Sequence, residues 1–158
     1  MRTPPWLFEM LNYRYGPFQL DAAADKKNAL CKHFWTEKED GLEQPWMDGT
    51  FCNPPFAQMG RWMRKGHLEW ADHKRRSCVV GLAGCSQEWF HQYAIHGMIL
   101  VPNSRINFLM PDGTPTNRVM WSTMIYLFGY GKAAWGRFSV WPLNVRGEIK
   151  KFNESQRR

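Results

Sequence analysis

The sequence predicts a three-layer α/β domain with a mainly parallel sheet and an antiparallel edge. Three observations carry this expectation. Short apolar runs alternate with helix-like segments. The run Ser77–Ala83 is apolar without alternation, as a strand covered on both faces must be. The later part of the chain reads as strand after strand. At 158 residues and 44% hydrophobic, the chain suffices for one domain with a substantial core and is too short for two. That domain is assigned to residues 1–144; residues 145–158 read as a basic, flexible tail without clear periodicity.

Thr3-Pro4-Pro5 ahead of Trp6–Leu11 predicts a helix with Thr3 as its N-cap and the prolines in the first turn, where a missing N–H does no harm. It should stop near Tyr15-Gly16-Pro17. Phe18–Ala22 is then the first strand and Lys26–Lys32 a short helix. His33–Thr36 is the second strand, followed by the acidic residues Glu37, Glu39 and Asp40 and an ordered loop over Gly41–Gly49. Thr50–Cys52 is strand-like and must end at Asn53, because Pro54 and Pro55 cannot donate to a ladder and turn the chain away.

Over Ala57–His73, the residues Met59, Trp62, Met63, Gly66 and Trp70 fall on one helical face. Ser77–Ala83 is a buried strand, Ser86–Ile95 an N-capped helix and Met98–Val101 a further strand. Arg105–Met110 and Asn117–Phe128 read as antiparallel strands about the Pro111-Asp112-Gly113 turn.

Composition narrows the function. With 21 Lys+Arg against 14 Asp+Glu, the net charge of +7 favours a polyanionic partner such as nucleic acid. Cys31, Cys52, Cys78 and Cys85 have no Cys-x-x-Cys spacing, so free thiols in a reducing compartment are expected. The five histidines have no metal-ligand spacing, and no metal is expected. Neither a phosphate-binding Gly-x-x-x-x-Gly-Lys loop nor a Gly-x-Ser-x-Gly elbow occurs. No segment approaches a bilayer span, and a soluble, intracellular protein without membrane association is expected.

The most informative stretch is Asn53-Pro54-Pro55-Phe56. Two prolines make a short, stiff loop at the carboxyl edge of the sheet, where α/β folds bind ligands. The Asn53 side-chain oxygen and the Pro54 carbonyl together can accept two hydrogen bonds from one NH2 group, and the Phe56 ring offers a face to a flat heterocycle. Asp21 and the Glu37–Asp40 cluster each follow a strand and should share that rim.

This tetrapeptide matches the (Asp/Asn/Ser)-Pro-Pro-(Tyr/Phe/Trp) motif of amino-group DNA methyltransferases. Together with Thr3-Pro4, Phe18–Ala24, Asp40-Gly41-Leu42, Trp46, Ser86–His91 and Arg105–Phe108, it makes the chain resemble the phage Dam-type DNA N6-adenine methyltransferase family. The resemblance implies a Rossmann-like, S-adenosylmethionine-dependent methyltransferase domain acting on double-stranded DNA in the host cytoplasm. Asn53, Pro54, Pro55 and Phe56 would be the catalytic residues, holding a target base swung out of the duplex. Asp21 would pair with the cofactor's ammonium, beside Ala22 and Ala23, which replace the usual glycine-rich turn. Asp40 would serve the ribose hydroxyls or the adenine amine, Thr3 and Pro4 the methionine end, and Trp46 either a pocket wall or the core. Arg61, Arg64, Lys65, Lys74, Arg75 and Arg76 are the candidate phosphate contacts. A cytosine N4-methyltransferase and a catalytically inert nucleic-acid-binding protein of the same fold are the alternatives.

Overall fold

In the computed structural model, residues 1–116, 122–131 and 139–157 are described. The first helix, α1, spans Pro5–Tyr15. Its cap is Pro4 and not Thr3: the Pro4 carbonyl accepts the N–H groups of Leu7 and Phe8 at 3.0 and 3.3 Å. A residue before proline is driven out of the helical region, and Pro4 accordingly lies at φ −64°, ψ 140°, so the helix can begin only at Pro5.

Then follow β1 (Leu20–Asp21), β2 (His33–Phe34), β3 (Thr50–Cys52), α2 (Met59–His73), β4 (Ser77–Leu82) and α3 (Glu88–Gln92). The chain continues through β5 (Met98–Pro102), β6 (Thr123–Phe128), β7 (Ser139–Leu143) and α4 (Val145–Ser155). The strands form one sheet in the order β2-β1-β3-β4-β6-β5-β7. Only β6 runs against its neighbours, pairing antiparallel with both β4 and β5.

The expected class therefore holds, mainly parallel and Rossmann-like, with one correction: the antiparallel strand is inside the sheet and not at its edge. Residues Ile125, Tyr126, Leu127 and Phe128 are all buried, so β6 needs cover on both faces and a partner on both sides. The edge falls to β7, whose Val140 and Trp141 are exposed.

Side-chain parity sorts the core into two layers. Phe51, Cys78, Val80, Ile125 and Leu127 pack with α1 and Val145 on one face. Cys52, Val79, Tyr126 and Phe128 pack with α2 and Phe90 on the other. This is the period-2 alternation of strands covered from both sides.

Four local expectations change. Lys26–Lys32 is not a helix: a single turn closes with the Ala29 N–H on the Asp25 carbonyl at 3.0 Å, and the next donor, the Leu30 N–H, goes to the Asp21 side chain at 3.1 Å. The helix after Ser86 begins only at Glu88, with no side-chain cap. Arg105–Met110 is no strand, but Leu109 bridges both Arg2 and Pro115; residues 117–121 of the expected partner strand lie outside the described residues. The segment read as a tail forms α4, capped by Asn144 and tied to α1 through Arg14–Glu148 at 2.6 Å.

One buried charge on α2 escapes a search for apolar periodicity. Glu69, 4% exposed, takes Lys65 at 2.7 Å, Arg75 at 3.1 Å and the Trp46 N–H at 3.3 Å. Burial pushes its carboxyl up, and the Lys65, Trp46 and Arg75 contacts outweigh that and hold it below the ordinary carboxylate range. Glu69→Ala strands the Trp46 N–H and two cations, and should cost about 2–3 kcal/mol of stability, read as a fall in Tm.

Candidate active site

The site is assembled by register. Asp21 closes β1 and pairs with Phe51 of β3, so the two side chains share a face. Asn53, two residues beyond Phe51, returns to that same face just past the strand end. The α1 side of the sheet covers it, and Thr3 descends from the start of α1 to meet it: the Asn53 Nδ2 donates to Thr3 Oγ1 at 2.9 Å. Thr3, Asp21, Ala23, Phe51 and Asn53 thereby line one cavity of about 190 Å³.

Asp21 is the acidic residue of that cavity, which Arg2 also lines. It is 4% exposed and accepts the Leu30 N–H at 3.1 Å and, more weakly, the Ala23 N–H at 3.5 Å. Burial pushes its carboxyl up to about 6 against these two stabilising N–H groups. A carboxylate so placed is short of positive charge, and a cation entering the cavity would restore its ordinary acidity.

The alanines after Asp21 have a backbone reason. None of Ala22, Ala23 or Ala24 has positive φ, since the chain does not curl into a helix there but stays beside β2, with Ala24 N–H donating to the Trp35 carbonyl at 3.1 Å. The lack of a side chain is needed instead at Gly41, where a Cβ would collide with the Ala22 carbonyl. Ala22 itself is fully buried and serves the α2-side core; Ala23 faces the cavity.

Two expected site residues also have structural work. Asp40 sits at φ 54° and accepts the Leu42 N–H at 3.0 Å, making a side-chain-closed turn, and it lines neither cavity described here. Pro4 spends its carbonyl on the α1 cap and is likewise absent from the cavity lining. Trp46 is core: 2% exposed, its indole N–H donates to the Gly41 carbonyl at 2.8 Å.

Pro54 is buried and Pro55 exposed, so the dipeptide anchors on one side and turns outward on the other. Phe56 then stands at the end of the sheet, touching both cores, edge-on to Phe108 at 6.0 Å between ring centroids. On its far side opens a second cleft of about 520 Å³, lined by Phe56, Leu82, Gly84, Gln87, Trp89 and Ser122. Sequence reasoning passed over Gln87 and Ser122 as site residues; Gln87 follows the end of β4, and Ser122 is brought there by the pairing of Thr123 with Leu82. Asn53 faces one cavity and Phe56 the other, with two prolines between. Chemically, this joins a buried anion, an amide acceptor and an aromatic face along one sheet edge.

Among the described residues no group of three or more His, Cys, Asp and Glu is arranged to hold a metal ion. No described helix is long and apolar enough to cross a membrane.

A family model described as DNA N-6-adenine-methyltransferase (Dam) matches residues 1–128. The DNA N-6-adenine-methyltransferase of Escherichia phage T1 is 29% identical over 90 residues, covering 56% of this chain and 37% of that protein. The putative methyltransferase YfdM of Escherichia coli strain K12 is 34% identical over 62 residues, 35% of this chain and 68% of that protein. The similarity thus spans little more than a third of the phage protein's length.

Proposed function

The chain belongs to the DNA N-6-adenine-methyltransferase (Dam) family, and from that membership we propose that it transfers a methyl group from S-adenosylmethionine to the exocyclic amine of adenine in double-stranded DNA. The observation that carries the reading is the placement of Asp21 and Asn53 on one cavity, with Phe56 opening on the next.

S-adenosylmethionine, when bound, supplies an electrophilic methyl group; the chain's part is to bind and orient. The buried Asp21 carboxylate fits a cationic guest, and the cofactor's ammonium is the cation proposed for it. Ala23 leaves room beside it. The base, swung from the duplex at a cost of a few kcal/mol, enters from the Phe56 side and stacks against that ring. Gln87 and Ser122 offer hydrogen bonds to its polar edge. An aromatic amine is a poor nucleophile because its lone pair is delocalised into the ring. Asn53 Oδ1 and the Pro54 carbonyl hold its two N–H bonds and favour the tetrahedral nitrogen of the transition state.

Mass spectrometry of DNA nucleosides after incubation with protein and S-adenosylmethionine tests this directly. N6-methyl-2′-deoxyadenosine is the expected product; N4-methyl-2′-deoxycytidine or no methylated nucleoside would overturn it.

Most of the candidate phosphate contacts already have acidic partners within the chain. Lys65 and Arg75 serve Glu69, Arg76 binds Asp48 at 2.6 Å, and Arg61 reaches Glu43 at 3.5 Å. Lys74 lies 5.5 Å from the Trp70 ring centroid. Arg64 is exposed, and its side chain has no hydrogen bond or ion pair among the described residues. DNA binding should still weaken steeply with salt, at least tenfold between roughly 50 and 200 mM, as phosphate counterions are released. A flat response in a salt series would reduce the net charge to a solvated surface.

A further inference from the structure

Thr3 and Asn53 are 50 positions apart, yet one hydrogen bond joins them, and both ends of that bond are held rigidly. Arg2, immediately before Thr3, exchanges backbone hydrogen bonds with Leu109 at 2.7 and 2.9 Å, and Pro4-Pro5 follows. Asn53 stands between the last residue of β3 and Pro54. Thr3 is 8% exposed and β-branched, so its side chain has few rotamers to choose from.

An asparagine carboxamide has two opposed ends: Oδ1 accepts and Nδ2 donates. Rotation about the last side-chain bond exchanges them on a broad, two-fold energy surface. For an amine presenting N–H bonds the two orientations are not equivalent. Oδ1 holds the amine, whereas Nδ2 would set donor against donor. In the structure Thr3 Oγ1 accepts from Nδ2, which leaves Oδ1 turned to the other side; a hydroxyl could also donate to Oδ1 of the flipped amide, so the amine's own N–H bonds select this orientation and Thr3 anchors it.

We propose that Thr3 is a positioning residue of the methyl-transfer site, its hydroxyl holding the Asn53 amide with Oδ1 directed at the target amine. The inference rests on the reading of Asn53 as the amine acceptor. It assigns Thr3 a role distinct from the two the sequence offers. Helix capping belongs to Pro4. A cofactor contact is the competing role, because Thr3 also lines the Asp21 cavity.

A double-mutant cycle on the full chain separates these roles, using Thr3→Val, Thr3→Ser, Asn53→Ala and the Thr3→Val/Asn53→Ala pair. Single-turnover methylation is measured at saturating S-adenosylmethionine and DNA, with cofactor Kd and Tm on the same preparations. Thr3→Val should slow the step roughly tenfold, the scale of one lost orienting hydrogen bond, and leave the cofactor Kd unchanged. Thr3→Ser, which keeps the hydroxyl, should restore the rate. In the Asn53→Ala background Thr3→Val should add nothing, since the amide it orients is gone.

Additive losses in the pair, or a weakened cofactor Kd in Thr3→Val, would overturn the inference in favour of a cofactor contact; an unchanged Thr3→Val rate would overturn it outright. Should Thr3→Val fail to fold, Thr3→Ala takes its place in the cycle with the same expectations. A wild-type rate in Asn53→Ala alone marks a different failure, that of the amine-acceptor reading, and removes the inference with it.

Discussion

Asn53→Ala should fold and bind S-adenosylmethionine as the unaltered protein does, while single-turnover methylation falls by on the order of 10²–10³. The size follows from what the amide does in the proposed mechanism. A hydrogen bond preorganised for the transition state acts in a partly desolvated site and need not reorganise at the moment of reaction. The cost to folding is smaller. Asn53 is only half-buried and, among the described residues, its side chain hydrogen-bonds Thr3, a contact whose loss is worth about 1 kcal/mol. If Asn53 merely shaped the turn before Pro54, the order would reverse, with Tm falling and the rate per folded molecule preserved. Tm, cofactor affinity and rate from one preparation decide between the two, and a near-wild-type rate would sink the mechanism.

The second large effect concerns Asp21, where stability and binding should move in opposite directions. Its carboxyl is pushed from an ordinary 3.8 to about 6 by burial. The folded state therefore holds this proton more tightly than the unfolded chain. Stability falls as pH rises between roughly 4 and 6, and above that the ionised group costs up to about 3 kcal/mol. Asp21→Asn keeps the shape, and its amide oxygen can still accept the Leu30 N–H. It should raise Tm at pH 7.5 by several degrees and lose that advantage below about pH 4. The same change should weaken S-adenosylmethionine binding by roughly tenfold to 150-fold, the worth of a charge-assisted hydrogen bond. In the unaltered protein, cofactor affinity should decline as pH drops through about 6. Calorimetric titration across pH reads the affinity. Unchanged affinity in the variant would remove Asp21 from the site.

The two predictions are linked by geometry. Asp21 and Asn53 share a face because β1 and β3 pair in parallel with Asp21 opposite Phe51. A shift of one residue in that register would send Asn53 to the α2 side, away from both Asp21 and Thr3.

Much of this was legible in the chain itself. Asn53-Pro54-Pro55-Phe56 declares its own geometry, since two prolines end a strand wherever they stand. Asp21 at the close of an apolar run was likewise readable, as were α2, β4 and the parallel character of the sheet, all of which follow from local periodicity. Spacing did not foretell that Asp40 closes its own turn on the Leu42 N–H, because a carboxylate after a strand can serve its own backbone as well as a ligand. Lys26–Lys32 failed because the Leu30 N–H, which a continuing helix would give to the Lys26 carbonyl, goes to the Asp21 side chain nine positions back.

By itself the sequence determined the strand–helix alternation, the stiff amide-bearing loop and the anion at the end of β1, because each depends on residues within a few positions of one another. Only the tertiary structure decided that β6 lies inside the sheet, that Glu69 gathers two cations and the Trp46 N–H, and that Thr3 holds Asn53. Each of these is a contact between distant segments, made when hydrophobic layers close over the sheet and leave a buried polar group only the partners that packing brings within reach.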